Sequence, residues 1–379
     1  MNNNIFYFSS NGFPSKKYPN LSLFSFEQAN KLKGKKVFLF DLYTNRSDKI
    51  FINSYNKKKI IRLIYTKYNP IKIFKNIFFI LKLYNKEKPY LSISSFLNMR
   101  NIIYSFFLPN KKIVIIHGTD STTNNYFYKI IYNFFLIKVN KIFTVSFYTK
   151  KKLLNNYENN LIIKKKIRVV HNGFSSEKFL LKDKKILKKI PKSKKLILCV
   201  ANLVKRKNIL TLVEIFYIIN KKYPKKFSLC IVGNGPEYKN IKKKILDYNL
   251  VNQVYIFSKI KDSEMAALYY KSIFFMLFSK YYKKEFEGFG IVFLEAMFNK
   301  CIVFCSKHGG IQEFVKNNYN GFLFDLKNKN FKEQVVCKVT KMLRSKKIQK
   351  KIKYNAHKTS KNFSWKKNID SILKYSDAN

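Results

Sequence analysis

Short runs of β-branched and aromatic residues alternate with longer stretches of helical periodicity along this whole sequence. The runs fall at Ile5 to Phe8, Val37 to Phe40, Ile60 to Tyr65, Tyr90 to Ile93, Ile113 to Ile116, Lys141 to Val145 and Arg168 to Val170. They resume at Leu196 to Val200, Ser228 to Val232, Val254 to Phe257, Ile273 to Leu277 and Ile302 to Phe304. Such alternation builds βαβ units and parallel sheets. Between Phe174 and Lys195 the pattern dissolves into a lysine-rich stretch containing Pro191. At 379 residues the chain exceeds one ordinary domain and suits two of roughly 150 to 200 residues each. The expectation is α/β architecture in two domains. Ligands of doubly wound sheets sit outside the carboxyl ends of the strands, so two such domains facing each other put a cleft between those ends.

The formal charge of +55, from 76 Lys and Arg against 21 Asp and Glu, taken alone suggests a polyanion partner. Lys, Asn, Ile, Tyr and Phe are in excess together, however, and their codons are all rich in A and T. The lysines also lie scattered, in runs such as Lys57 to Lys59, Lys164 to Lys166 and Lys242 to Lys244. Solvated faces supplied by codon bias are therefore the first reading, an anionic membrane surface the second, and nucleic acid the last and not expected. No stretch approaches the roughly 18 to 20 apolar residues of a membrane span. Ile130 to Ile137 stops at Lys138, and the start Met1-Asn2-Asn3-Asn4 lacks the features of a secretory signal. The expected location is the cytosol, with peripheral contact at the inner face of the cell membrane left open. Five cysteines fit a reducing compartment, and Cys301 with Cys305 lacks the second pair that a zinc site needs.

Chemistry concentrates between Glu285 and Asp325. After the run ending at Leu277 comes Glu287-Gly288-Phe289-Gly290-Ile291-Val292-Phe293-Leu294-Glu295-Ala296-Met297. The two glycines allow close backbone approach, and a helix beginning near Phe289 offers free N–H groups to an anion. Glu287 then lies in the loop, and Glu295 about one and a half turns into the helix. Two carboxylates beside an anion site suit hydroxyl groups better than phosphate. In the plainer alternative Glu287 is a helix-terminal charge and Glu295 a surface residue, although Glu295 stands between Leu294 and Ala296.

This segment resembles the E-x7-E signature of family 4 retaining glycosyltransferases, since seven residues separate Glu287 from Glu295. His308-Gly309-Gly310-Ile311-Gln312-Glu313, followed by Asn320-Gly321-Phe322-Leu323, is similar to that family's G-G-x-x-E and N-G-hydrophobic sequences. Val232-Gly233-Asn234-Gly235-Pro236-Glu237 resembles its V-G-x-G-P turn, and His171-Asn172-Gly173-Phe174 its N-G segment. Phe363-Ser364-Trp365 resembles the start of its C-terminal helix. The resemblance covers nearly the whole chain. It implies the GT-B architecture: an acceptor-binding Rossmann-like domain over 1–177, a nucleotide-sugar donor domain over 178–360, and a helix over 361–379 that packs back on the first domain.

The resemblance also implies roles. Glu295 binds the donor's ribose hydroxyls, Glu287 faces the transferred sugar, and the N–H groups of Gly288, Phe289, Gly290 and Ile291 hold the diphosphate. Lys207 stands where the family has its phosphate-binding lysine. Asn202 replaces the arginine of many members, so Lys205 or Arg206 substitutes in the cation clamp, while Gly233 and Gly235 line the donor side. His117, at the end of a strand, matches the active-site histidine, and Asn11 with Gly12 stands at the glycine-rich loop that meets acceptor or phosphate. For the basic cluster the plain alternative is a solvated loop.

No Asp-x-Asp, Walker, G-x-S-x-G or His/Cys ligand pattern occurs. With these patterns absent, the resemblance implies a metal-independent retaining hexosyltransferase without a cofactor, using a nucleotide diphosphate sugar as co-substrate. Its acceptor is a saccharide or a lipid-linked one, in cell-surface polysaccharide synthesis. A nucleotide-sugar epimerase or phosphorylase on the same fold is the alternative enzyme, and a basic nucleic-acid-binding module the non-enzymatic one.

Overall fold

The computed structural model of the protein describes residues 3–9, 23–34, 36–42, 49–55, 58–64, 69–123, 125–191, 195–258 and 260–377. The chain divides into two compact units, Met1–Gly173 with Trp365–Asn379, and Phe174–Ser364. Both are α/β, and each holds a Rossmann-like sheet.

The first unit contains β1 (Ile5–Ser9), α1 (Leu23–Asn30), β2 (Val37–Asp41), β3 (Phe51–Tyr55), β4 (Lys58–Arg62), α2 (Pro70–Glu87), β5 (Leu91–Ser94), α3 (Met99–Ser105), β6 (Lys111–Ile116), α4 (Tyr126–Lys138), β7 (Lys141–Thr144), α5 (Phe147–Asn156), α6 (Leu161–Lys166) and β8 (Ile167–Val169). Its sheet runs β3-β4-β2-β1-β5-β6-β7-β8. All neighbours are parallel except β3 and β4. The strand order reverses between β1 and β5, and from there the chain steps steadily toward β8. Right-handed crossovers therefore lay α2, α3 and α4 on one face of the sheet. Phe6, Phe8, Phe38 and Phe40 fill the core beneath α2, with Phe8 and Phe40 stacked at 4.6 Å. The α2 helix starts where Asn69 accepts the Lys72 N–H ahead of Pro70, and it ends at left-handed Lys88.

The second unit contains β9 (Lys195–Val200), α7 (Ile209–Lys222), β10 (Phe227–Val232), α8 (Tyr238–Asp247), β11 (Val254–Phe257), α9 (Asp262–Lys271), β12 (Ser272–Leu277), α10 (Ile291–Phe298), β13 (Ile302–Ser306), β14 (Gly321–Phe324), α11 (Phe331–Arg344) and α12 (Lys346–Ser360). Its sheet is all parallel, in the order β11-β10-β9-β12-β13-β14. Strands of such a sheet are covered on both faces and read as continuous apolar runs, as Leu196 to Cys199 and Phe274 to Leu277 do.

After Ser364 the chain re-enters the first unit as α13 (Trp365–Asp377). Trp365 is fully buried there, and its Nε1–H donates to Glu27 at 2.9 Å. Gln28 Nε2 donates to Asn368 Oδ1 at 2.8 Å and Gln28 Oε1 accepts from the Tyr7 hydroxyl at 2.9 Å, while Asn368 Nδ2 donates to the His171 carbonyl. Each of these buried polar groups has a partner, so the helix is keyed in by direction as well as by apolar area.

Candidate functional site

In the second unit the strand order reverses between β9 and β12, and ligands of open α/β sheets bind in the crevice at such a point. Two loops leave the carboxyl ends of those strands. After β9 a short 3-10 turn, Lys205–Lys207, brings Arg206 and Lys207 inward. After β12 come buried Ser279 and then buried Glu287. Arg206 Nη1 donates to Glu287 Oε2 at 3.2 Å, the Ser279 hydroxyl donates to the same oxygen at 3.0 Å, and Lys207 Nζ is ion-paired with it. All three meet on Oε2. Burial alone would push the Glu287 carboxyl up, but Lys207, Arg206 and the hydrogen bonds from Lys207 and Ser279 more than offset it and hold the pKa below the usual range. Arg206 Nε is buried without a hydrogen-bond partner, with Glu285 3.7 Å away at the rim. Such a donor calls for an acceptor from elsewhere.

The main chain of Glu287 is fixed from behind. Gly310 N–H donates to the Glu287 carbonyl at 3.0 Å, and Gly309, at φ +70°, lies so close that a Cβ there would come within 2.2 Å of that oxygen. This explains the glycine at position 309, after β13.

The helix begins at Ile291 rather than near Phe289, because Gly290 holds a left-handed φ of 90° that ends the loop. Glu295 is consequently the fifth helical residue, at the start of the second turn. It accepts the hydroxyl of buried Tyr269 at 3.0 Å. Gly288, Phe289 and Gly290 are all buried, and the Phe289 ring packs on Phe314 at 5.2 Å. Gly233 and Gly235 have a packing reason: a Cβ on either would strike the backbone of Ala201 or Leu203, at 1.8 and 2.5 Å. Asn202 is exposed, and Lys205 Nζ lies over the Tyr282 ring at 6.0 Å. Of the two substitutes expected for the missing arginine, only Arg206 reaches Glu287.

In the first unit His117 follows β6. Its main-chain N–H donates to Asp120 Oδ1 at 2.9 Å, and Asp120 also takes the N–H of Gly118 at 2.8 Å. The ring lies 4.8 Å from Phe96, with Nδ1 3.5 Å from Asn172 Nδ2. Burial drives the imidazole down to about 3 and lifts the Asp120 carboxyl to about 6. Asn11 and Gly12 lie outside the described residues.

Ser279, Tyr269 and Asp120 were not singled out from the sequence. Only Asp120 had a local signal, an Asp four residues past a strand end and placed to cap the turn. Among the described residues no group of three or more His, Cys, Asp or Glu could hold a metal ion.

Residues 182–359 match the family model for glycosyl transferases group 1. Over 378 residues the chain is 25% identical to an uncharacterised glycosyltransferase of Methanocaldococcus jannaschii, covering 95% of this chain and 96% of that protein. A glycosyltransferase structure from Rickettsia africae superposes with a TM-score of 0.78 at 23% identity, over 99% of this chain and 98% of that one. Anabaena HepE, crystallised with UDP and glucose, superposes with a TM-score of 0.74 at 15% identity over 99% of both chains.

Proposed function

We propose that this chain, whose family match and relatives support a glycosyltransferase of the GT-B superfamily, is a retaining hexosyltransferase of family 4. It moves a sugar from a nucleotide diphosphate sugar to a saccharide or lipid-linked acceptor, in the cytosol and in cell-surface polysaccharide synthesis. The carrying observation is the meeting of Arg206, Lys207 and Glu287 at the switch point of the second sheet, beside the start of α10.

Two cations on one buried carboxylate leave positive charge available to an anion. In this reading Lys207 turns from Glu287 to the diphosphate when donor binds, joined by Arg206 Nε and the N–H groups near Gly290 and Ile291. Glu287 Oε1, which takes none of the three donors, is left for a hydroxyl of the sugar. Glu295, oriented by Tyr269, receives the ribose hydroxyls. As the bond from the anomeric carbon to the phosphate oxygen breaks, charge grows on that oxygen and meets dipoles and cations already in place. The acceptor oxygen bonds the anomeric carbon on the same face, and its proton passes to the leaving phosphate. Neutral His117 suits contact with sugar hydroxyls and not the holding of a charge. No metal or other cofactor takes part in this scheme: Lys207, Arg206 and the main-chain N–H groups meet the charge of the leaving phosphate.

The test is transfer from a panel of sugar nucleotides with and without acceptor, with EDTA, and with product anomeric configuration read by NMR. Retention with activity surviving EDTA is expected. Turnover without acceptor would point to an epimerase, and activity abolished by EDTA and restored by magnesium or manganese would defeat the metal-free mechanism.

A further inference from the structure

The helix layer over the first unit's sheet carries two matching stripes on its outer side. On α2 they are Ile71, Phe74 and Phe78, followed by Lys82; on α4 they are Phe127, Ile130 and Phe134, followed by Lys138. Both sets have the spacing i, i+3, i+7 and i+11, which puts each set on one helix face. All six apolar side chains are more than half exposed. Phe107, also mostly exposed, lies beyond the end of α3, whose Tyr104 hydroxyl accepts from Asn76 of α2 at 3.1 Å. Its neighbour Phe106 meets Phe134 at 5.8 Å. The three helices therefore present one surface.

A soluble face of this size with seven large exposed apolar residues calls for a partner. Its charge says which. Lys72, Lys75, Lys82 and Lys86 lie along α2 and Lys129 and Lys138 along α4, whereas the only acidic residue within these two helices is buried Glu87, paired with Lys36. Glu158, from outside them, pairs with Lys129. Two copies of this lysine-rich face would repel each other, while a bilayer with anionic headgroups satisfies both the lysines and the phenylalanines. No helix among the described residues is long and apolar enough to cross a membrane, so the layer lies on the surface.

We infer that the outer face of α2 and α4 is a docking surface for an anionic lipid bilayer, with the phenylalanines entering the headgroup boundary and the lysines meeting lipid phosphates. The inference stands apart from the transfer reaction and is tested without it. Cosedimentation with vesicles of phosphatidylglycerol and phosphatidylcholine, against phosphatidylcholine alone, should favour the anionic vesicles at least about tenfold. The variant Phe74→Ser/Phe78→Ser/Phe127→Ser/Phe134→Ser should lose most of that binding while its circular dichroism stays that of the wild type. Phe78→Trp should show emission shifting to the blue on anionic vesicles, a readout of burial that a merely electrostatic attachment would not give. Equal recovery on neutral vesicles, unchanged binding by the serine variant, or an effect of that variant on self-association alone would overturn the inference.

Discussion

The two carboxyl-end sites solve opposite electrostatic problems. At the second unit's switch point a buried carboxylate stays charged because two cations and a hydroxyl meet one of its oxygens. Beside β6 in the first unit, burial outweighs the main-chain hydrogen bonds of His117 and Asp120 and moves both toward their neutral forms. Charge is kept where two full cations oppose burial and is lost where main-chain hydrogen bonds alone oppose it. On the proposed reading, the crevice of the first kind receives an anion and the neutral pair of the second meets uncharged hydroxyl groups.

The sharpest way to break this contrast is Lys207→Ala. Turnover should fall roughly a hundredfold or more, the scale of losing one preorganised charge stabiliser, whereas His117→Ala should leave nucleoside diphosphate affinity near wild type. Initial rates and calorimetric titration with the diphosphate check both, and equal loss of affinity in the two variants would erase the distinction. Next in size, Glu295→Ala should weaken donor and nucleoside diphosphate binding together by about 1 to 3 kcal/mol. Glu287→Gln should lower turnover more than nucleoside diphosphate affinity. A single shared kinetic signature would mean that the two carboxylates act as one.

A smaller effect concerns pH and the first unit. Asp120 is raised to about 6 from its ordinary value of 3.8, so its contribution to stability is complete below the lower value and lost as pH rises through the upper one. His117 is lowered to about 3 from 6.5, so its contribution is complete above 6.5 and lost as pH falls. The two slopes oppose each other across the shared window. Asp120→Asn should therefore uncover the histidine's slope, and thermal unfolding should weaken more steeply on acidification than in wild type. In the second unit Glu287 contributes above its ordinary value and loses that contribution as pH falls through its lowered one. The smallest signal is spectroscopic: the His117 imidazole resonances should not titrate between pH 8 and 5. A titration near 6.5 would remove the contrast at its root.

The parallel strands were legible because buried strands must be apolar throughout, and that shows in a single sequence as runs such as Ile113 to Ile116. The β3 strand escaped because Asn53-Ser54 interrupts it, as an edge strand with one neighbour tolerates. The β14 strand was seen only as the motif Asn320-Gly321-Phe322-Leu323. The start of α10 was placed two residues early, since the sequence does not disclose that Gly290 adopts a left-handed φ. The family resemblance named Glu287, Glu295, Lys207 and Arg206 as candidates, but not the pairing of Arg206 and Ser279 with Glu287 or of Tyr269 with Glu295. Ser279, Arg206 and Tyr269 lie 8, 81 and 26 residues from the carboxylates they touch, and such pairings exist only once the sheet has brought strand ends together.

The return of α13 to the first unit has a consequence for synthesis. Trp365 and Asn368 complete a polar and apolar plug whose other half, Tyr7, Glu27 and Gln28, emerges from the ribosome more than 330 residues sooner. The unit translated first must therefore wait with part of its interior uncovered, while the unit translated second, ending at Ser364, has all its residues available earlier. Maturation runs against the order of the message, and the late helix closes the early domain as a stopper closes a flask.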